Sequence, residues 1–335
     1  MKKGLCLMIA LAMLLSMTAA TAESILLTWN EVNGEAYGAT VGAHAFADRM
    51  EALSGGTMQI DLYTNGALGS EQESLQGLQI GTLDFFRGNA STLPDYGADL
   101  IGATGFPFLF DSMEQFYDFA TGELGKALLE SVETADCGFV ALAWLVEGPR
   151  SLFITEAAYQ RIGAPESVSL SDIKGLNIRV PESSVIHDTI DALGMAAIPI
   201  TYSELVRSLQ SGNVDGAENG VTSYISSGFC EVAPYFIEDA HIFGCGVILM
   251  SKARWDALTD AQKGWVREAA QAASDACYEY NRVQEEACFD RFDTLGVKLL
   301  PVTDIDRWQD ACEPLYERQS DETQAIIDQI QSGEF

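Results

Sequence analysis

Apolar positions between residues 175 and 220 recur in two alternating rhythms. Leu176–Val180 is a short apolar run bounded by Gly175 and stopped by Pro181, which predicts a strand. From Ser183 the spacing becomes that of a helix, closed at Leu193 by Gly194. Ala197–Ile200 returns to the strand rhythm. Thr201 with Glu204 three residues on reads as a capping box for a helix that turns Leu205, Val206 and Leu209 inward and stops at Gly212. Asn213–Ala217 is a third strand, and Glu218-Asn219-Gly220 turns out of it. Strand, helix, strand, helix, strand predicts a parallel sheet with right-handed crossovers. Such sheets bind ligands beyond the carboxyl ends of their strands. Arg179 falls near the end of the first strand and Asn219 just past the third, so one ligand would meet a guanidinium and a carboxamide.

The chain before this stretch alternates in the same way. Ser24–Trp29 reads as a strand, Glu35–Leu53 as a helix with Val41, Ala45, Phe46 and Met50 inward, and Thr57–Tyr63 as a half-exposed strand. Glu71–Ile80 is a short helix stopped by Gly81, and Leu83–Phe86 is a strand whose carboxyl end releases Arg87, Asn89 and Ser91. These three, Glu71 at its helix start, and Asn33, Glu35 and Tyr37 at the first strand–helix turn are the polar candidates of a facing half-site. The Phe-rich block Gly105–Phe110 reads as core and hinge packing. Helices near Met113–Thr121 and Leu124–Glu133 lead to a strand at Gly138–Val146, which Glu147-Gly148-Pro149-Arg150 interrupts before Ser151–Thr155 resumes it.

Residues 156–174 read as a loop with a short strand or turn, and Val221–Ser227 as a helix. Ala240–Leu249 is strand-like, with His241 at its start and Gly244 and Gly246 inside it. Asp260 is placed as the cap of one helix running to about Leu295; at 1.5 Å per residue it exceeds about 45 Å, enough to cap one end of the molecule or span both domains. Gly296–Leu300 is a strand, and helices near Ile305–Arg318 and Glu322–Ser332 finish the chain. The predicted class is α/β in two domains. One comprises residues 23–147 plus about 245–284, the other 148–244 plus about 285–335. The first crossing lies at Glu147–Arg150. Crossings without a flexible linker favour a hinge over independent motion.

Composition narrows the function. With 49 Asp and Glu against 19 Lys and Arg, the formal net charge is −30. No basic stripe exists to release counterions from nucleic acid, and the chain repels its own kind and anionic membranes, so a monomer is expected. An anion site must therefore be local, a few arginines working against the global field. Lys2 and Lys3, the apolar run Leu5–Met17 and Ala20-Thr21-Ala22 form a secretory leader cleaved near Ala22. This places the mature protein in the periplasm or at the cell surface. Cys137, Cys230, Cys245, Cys277, Cys288 and Cys312 show no metal-binding spacing. Cys277 and Cys288, about 16 Å apart along a helix, cannot bridge each other. Buried free thiols are the simplest reading.

Catalytic signatures are missing from the sequence. It has no nucleophile elbow, zinc-protease helix motif, phosphate-binding loop or dinucleotide fingerprint, and its 3 His residues do not cluster. No cofactor or metal is called for. Paired carboxylates remain available, so a secreted hydrolase of acidic sugars is an alternative, as is a sensor module for the same acid.

Several segments in order resemble one family, the periplasmic solute-binding proteins of TRAP transporters (the DctP-like type). They are Phe46-Ala47-Asp48-Arg49 before Gly55-Gly56, Asn65–Glu71, Gly81–Phe85, Pro107–Phe110, Gly148-Pro149-Arg150, Lys174–Pro181, Ala192-Leu193-Gly194, Glu204-Leu205 and Asp215–Asn219. The resemblance implies a Venus-flytrap fold with a long helix spanning both domains. It implies capture of a carboxylate-bearing solute (a uronate, aldonate, dicarboxylate, sialic or keto acid) and delivery to TRAP permease subunits. Arg179 matches the family arginine that pairs with the solute carboxylate, Asn219 its carboxamide contact and Arg150 a second cleft arginine. Gly220 replaces the family's usual proline, Ala217 stands where glutamine is frequent, and Arg87-Gly88-Asn89 replaces a less charged strand end. Arg87 is expected to meet a second carboxylate or a hydroxyl-rich acid. His241, just before the crossing strand, is a further candidate contact.

Overall fold

A computed structural model describes residues 24–335; the leader predicted at residues 1–22 lies outside the described residues. The strands are β1 Ile25–Asn30, β2 Met58–Tyr63, β3 Phe85–Asn89, β4 Phe139–Ile154, β5 Asn177–Val180, β6 Ala196–Pro199, β7 Gly216–Gly220, β8 Tyr235–Glu238, β9 Ile242–Ser251 and β10 Lys298–Pro301. They form one 10-stranded sheet in the order β2-β1-β3-β9-β4-β7-β5-β6, with β8 pairing both β4 and β10. Parallel β1, β2 and β3 belong to one lobe, and parallel β5, β6 and β7 to the other. The two antiparallel strands between them, β4 and β9, join the lobes.

The 16-residue β4 is continuous, where an interruption was expected. Its register against β9 shifts between Val146 and Gly148, so Glu147 is accommodated as a bulge rather than a break. Gly148 takes a φ of 86°, a conformation glycine adopts without a Cβ penalty. Gly244 and Gly246 face this bulge from β9. A Cβ on Gly246 would lie 2.3 Å from Glu147 Oε1, and one on Gly244 would lie 3.0 Å from Glu147 Cβ. The glycines inside the predicted strand are thus the space for one carboxylate.

The helices that frame the cleft include α1 Gly38–Ser54, α2 Glu71–Ile80, α3 Glu156–Arg161, α4 Ser184–Ala192, α5 Leu205–Ser211, α6 Val221–Ser226 and α7 Asp260–Phe289. Ser70 and Glu73 cap α2 reciprocally, and Ser183 caps α4. Several expectations change. The capping box at Thr201 and Glu204 is not formed; a single 3-10 turn Tyr202–Glu204 precedes α5. Residues 156–174 contain α3, started by the Thr155 side chain, and β8 was not anticipated. The long helix starts one residue earlier than placed, in a reciprocal Thr259–Gln262 cap. It ends at Phe289, with a separate turn Phe292–Leu295 beyond it.

Three apolar cores result. Phe46 of α1 meets the stacked pair Trp29 and Phe85 edge-on, and α7 contributes Val266, Ala269, Ala270, Ala273 and Cys277 to that core. Gly42 allows the two helices close approach, because a Cβ there would fall 2.8 Å from the Ala273 carbonyl. Farther along α7, Cys288 joins Phe153, Tyr224 and Phe236 in the core of the other lobe. Trp144 and Phe243 lie in the third cluster, Trp144 donating to the Gly125 carbonyl at 2.9 Å and Phe243 stacked on Phe116. Both are core side chains and do not line the cleft.

Candidate functional site

Parallel strands leave their carboxyl ends free, and in both lobes those ends face each other across a cavity of about 480 Å³. Arg179 on β5 is 3% exposed and lines it. Its Nε donates to the Ile200 carbonyl at 2.7 Å, and the guanidinium lies over the Tyr202 ring, 6.0 Å from its centroid. Among the described residues it has no carboxylate partner within ion-pair distance. Burial pushes its pKa down to about 10, against the pull of Glu218, so the group stays charged at neutral pH.

The other two cavity arginines are already paired. Arg150 on β4 donates from Nε and Nη2 to the Glu218 carboxylate at 2.6 and 2.7 Å. Arg87 donates from Nε and Nη2 to Glu147 at 2.6 Å each, and Nη2 also reaches the Tyr37 hydroxyl at 3.0 Å. Tyr37 in turn donates to Glu147 at 2.8 Å. All five side chains are buried. Burial opposes both guanidinium charges most strongly of any single cause, but the surrounding groups together outweigh it, Glu147 with Tyr37, Glu31 and Glu71 at Arg87 and Glu218 with Tyr37 and Glu147 at Arg150, and hold both pKa values above the ordinary arginine range. The expectation of Arg87 as a free cation at a strand end is corrected: it lies inside β3, and Glu147 occupies its fork. Arg150 is likewise committed through two of its nitrogens.

Polar groups of the first lobe complete the rim. Glu71 accepts from the Asn89 backbone and side-chain nitrogens at 3.0 Å, and both residues line the cavity. Asn33 and Tyr37 also line it, Asn33 being held by Glu31 through its backbone and amide nitrogens. Asn219 lies within β7, not beyond it. Its Oδ1 accepts from the Gly220 nitrogen at 2.8 Å, and its amide nitrogen has no protein partner among the described residues.

Three candidates fall elsewhere. Ser91 does not line the cavity; its carbonyl accepts from Ser183 Oγ at 2.6 Å, tying the lobes beside the cleft. His241 is fully buried against Asp239, which also receives the Leu152 nitrogen at 2.8 Å. Glu35 is exposed and binds His44 and Thr64. Sequence reasoning missed Glu147 and Glu218, the two counterions, as well as Tyr202 and Thr92. Thr92 lines the cavity, while its hydroxyl is buried without a partner among the described residues. The one available signal was the Gly244-x-Gly246 pair opposite Glu147.

A sheet shared by two α/β lobes, with a buried polar cavity between their strand ends, defines a two-domain solute-binding protein. The chain belongs to the bacterial extracellular solute-binding proteins of family 7 (DctP), whose sequence model matches residues 30–323. It is 29% identical to a solute-binding protein of Chromohalobacter salexigens over 97% of this chain and 94% of that one. Its fold matches a TRAP periplasmic solute-binding protein of Bradyrhizobium in complex with galacturonate, with a TM-score of 0.85 and 29% identity over 91% of this chain and 99% of that one. One from Polaromonas bound to D-erythronate superposes with a TM-score of 0.85 at 26% identity, over 93% of this chain and all (100%) of that one. Proteins of this family are the binding components of transporters, not enzymes, which removes the hydrolase reading. No helix among the described residues is long and apolar enough to cross a membrane.

Proposed function

We propose that this protein captures a small organic acid outside the cytoplasmic membrane and hands it to a TRAP permease. The observation that carries the reading is Arg179, a buried guanidinium lining the cavity with no carboxylate of its own among the described residues. A planar fork matches a carboxylate at two points, which a lysine does not. The Asn219 amide is a second donor to the same end of the solute, while Glu71, Asn89, Asn33 and the Tyr37–Arg87 cluster face its other end. Uronates and aldonates are the first candidates, because relatives with bound galacturonate and erythronate share the fold.

The hinge is assigned to the Glu147–Gly148 bulge and the facing glycines of β9. The domains are residues 23–147 plus about 245–284 and 148–244 plus about 285–335, with α7 crossing between them. Closure around the acid removes water and strengthens its pairing with Arg179. Export through the predicted leader brings the mature chain to the periplasm, where it acts as a monomer. A receptor-linked sensor would bind the same acid without supporting uptake.

Calorimetry of the mature protein with galacturonate, galactonate and erythronate tests the capture. Arg179→Ala is expected to cost about 2–5 kcal/mol of binding free energy, and Arg179→Lys to be harmful as well, because the fork is lost. Unchanged affinity in Arg179→Ala would refute the assignment. Uptake of the bound acid by cells carrying the cognate permease, lost when this protein is deleted, separates transport from sensing.

A further inference from the structure

The charges around the cavity carry the identification further, resting on the capture reading above. Three guanidinium groups line it, those of Arg87, Arg150 and Arg179. Two are cancelled from behind by fully engaged carboxylates, Glu147 for Arg87 and Glu218 for Arg150. Four more carboxylates, Glu71, Glu73, Glu182 and Glu204, belong to the lining itself. Among the described residues the cavity therefore has one uncompensated cation and an acidic wall. A solute with one carboxylate satisfies Arg179. A second carboxylate would find Arg87 already occupied and Glu71 beside it, and like charges brought together in a desolvated site repel.

The same wall favours hydroxyl groups. The Glu71 carboxylate accepts from Asn89 and has lone pairs left for a solute O–H. The Asn219 amide nitrogen is a further group without a protein partner among the described residues, and the Asn89 amide and Glu71 carboxylate lie on the same lining. An unhydroxylated tail would leave these polar groups unpaired on closure, which is costly.

We propose that this is a one-carboxylate filter: the site takes hydroxylated monocarboxylates and rejects dicarboxylates, with Glu147 the residue that sets the choice by occupying Arg87. Glu147 acts through Arg87 and is a positioning residue, whereas Glu71 faces the solute.

Titration calorimetry of the ligand-stripped mature protein tests this with matched acids. Galactonate and galactarate differ only in whether the far carbon is a hydroxymethyl or a carboxylate; erythronate and meso-tartrate form a shorter pair, and succinate and hexanoate lack hydroxyls. The expected result is that the better hydroxylated monoacid binds at least about tenfold more tightly than its diacid, than succinate and than hexanoate, about 1.4 kcal/mol or more. Glu71→Gln, a substitution at the rim, is expected to narrow the monoacid-to-diacid ratio at least threefold. Glu147→Gln, where it folds, should narrow it further by releasing Arg87. Diacids or hexanoate binding within tenfold of the monoacids, with Arg179→Ala abolishing all of them, overturns the filter and leaves the capture reading standing. A monoacid preference unchanged in both glutamate variants overturns the roles given to Glu71 and Glu147. If no acid of the set binds, or Arg179→Ala changes nothing, both readings fall together.

Discussion

Arg150 and Glu218 meet diagonally across an antiparallel ladder. Arg150 is registered opposite Gly220, and Glu218 opposite Leu152, yet the guanidinium spans the two-residue offset to make both contacts, at 2.6 and 2.7 Å. Diagonal neighbours on one sheet face lie within reach of a long side chain. Both residues are buried, so neither charge has water to fall back on. Glu218→Gln is expected to destabilise the protein by about 3–5 kcal/mol, since it leaves a buried guanidinium uncompensated. Denaturant unfolding followed by circular dichroism reads this, and a loss below 1 kcal/mol (about a fivefold change in the folding constant) would contradict it.

Arg179 predicts the opposite sign. It sits buried with no carboxylate partner among the described residues, so the native fold carries a desolvation cost that a bound solute offsets. Arg179→Met should leave the ligand-free protein as stable as wild type or more so, by about 0–2 kcal/mol, while abolishing binding. Differential scanning calorimetry with and without saturating acid checks both halves, because bound solute raises the wild-type Tm by mass action and not that of the variant.

Two glycines in different surroundings should respond differently to the same change. A Cβ at Gly246 would press on Glu147 Oε1, whereas one at Gly264 in α7 meets nothing within 4 Å. Gly246→Ala is expected to cost about 1–3 kcal/mol and to weaken acid binding by displacing the Glu147–Arg87 pair. Gly264→Ala should stabilise by about 0.5–1 kcal/mol through helix propensity and leave binding untouched. Equal effects at the two sites would refute the claim that Gly246 exists to seat Glu147.

His241 gives a pH dependence. Burial lowers its pKa, but the Asp239 carboxylate and the hydrogen bond between them outweigh burial and raise it above the ordinary 6.5. A raised folded value means that the folded state binds the proton more tightly. The resulting stabilisation is complete below pH 6.5, the unfolded value, and is lost as pH rises through the folded one. The stability lead of wild type over His241→Gln should therefore shrink as pH rises above 6.5 through the raised folded value. A constant lead across that range, or an imidazole resonance titrating at or below the ordinary value, would disprove it.

The thiols supply a last test. Cys137, Cys230, Cys245, Cys277, Cys288 and Cys312 are all buried and free. Burial raises their pKa values, most strongly for Cys245 and Cys277, so they are poor nucleophiles. Thiol reagents should leave the native mature protein unmodified and label all 6 cysteines after denaturation. A reducing agent should not move the Tm.

The local rhythm of the chain was enough to place most elements, because apolar spacing and stop signals act within a few residues. The Gly175–Gly220 segment folds as a parallel β–α–β–α–β unit, with Arg179 at its cleft end, as its pattern predicts. Errors fell where tertiary contact overrides local signal. Glu147-Gly148-Pro149 looks like a break, yet two glycines on β9 make room for a bulge and the strand continues. Thr201 and Glu204 have the right spacing for a cap, but the turn that follows adopts another geometry.

The sequence by itself determined the α/β class, the family and the arginine at the end of the fifth strand, since each depends on residues adjacent along the chain. Only the tertiary structure decided which arginine is free. Arg87 meets Glu147 60 residues away, and Arg150 meets Glu218 across 68. The charge of a buried site is a sum over groups brought together by folding, and no local pattern contains that sum.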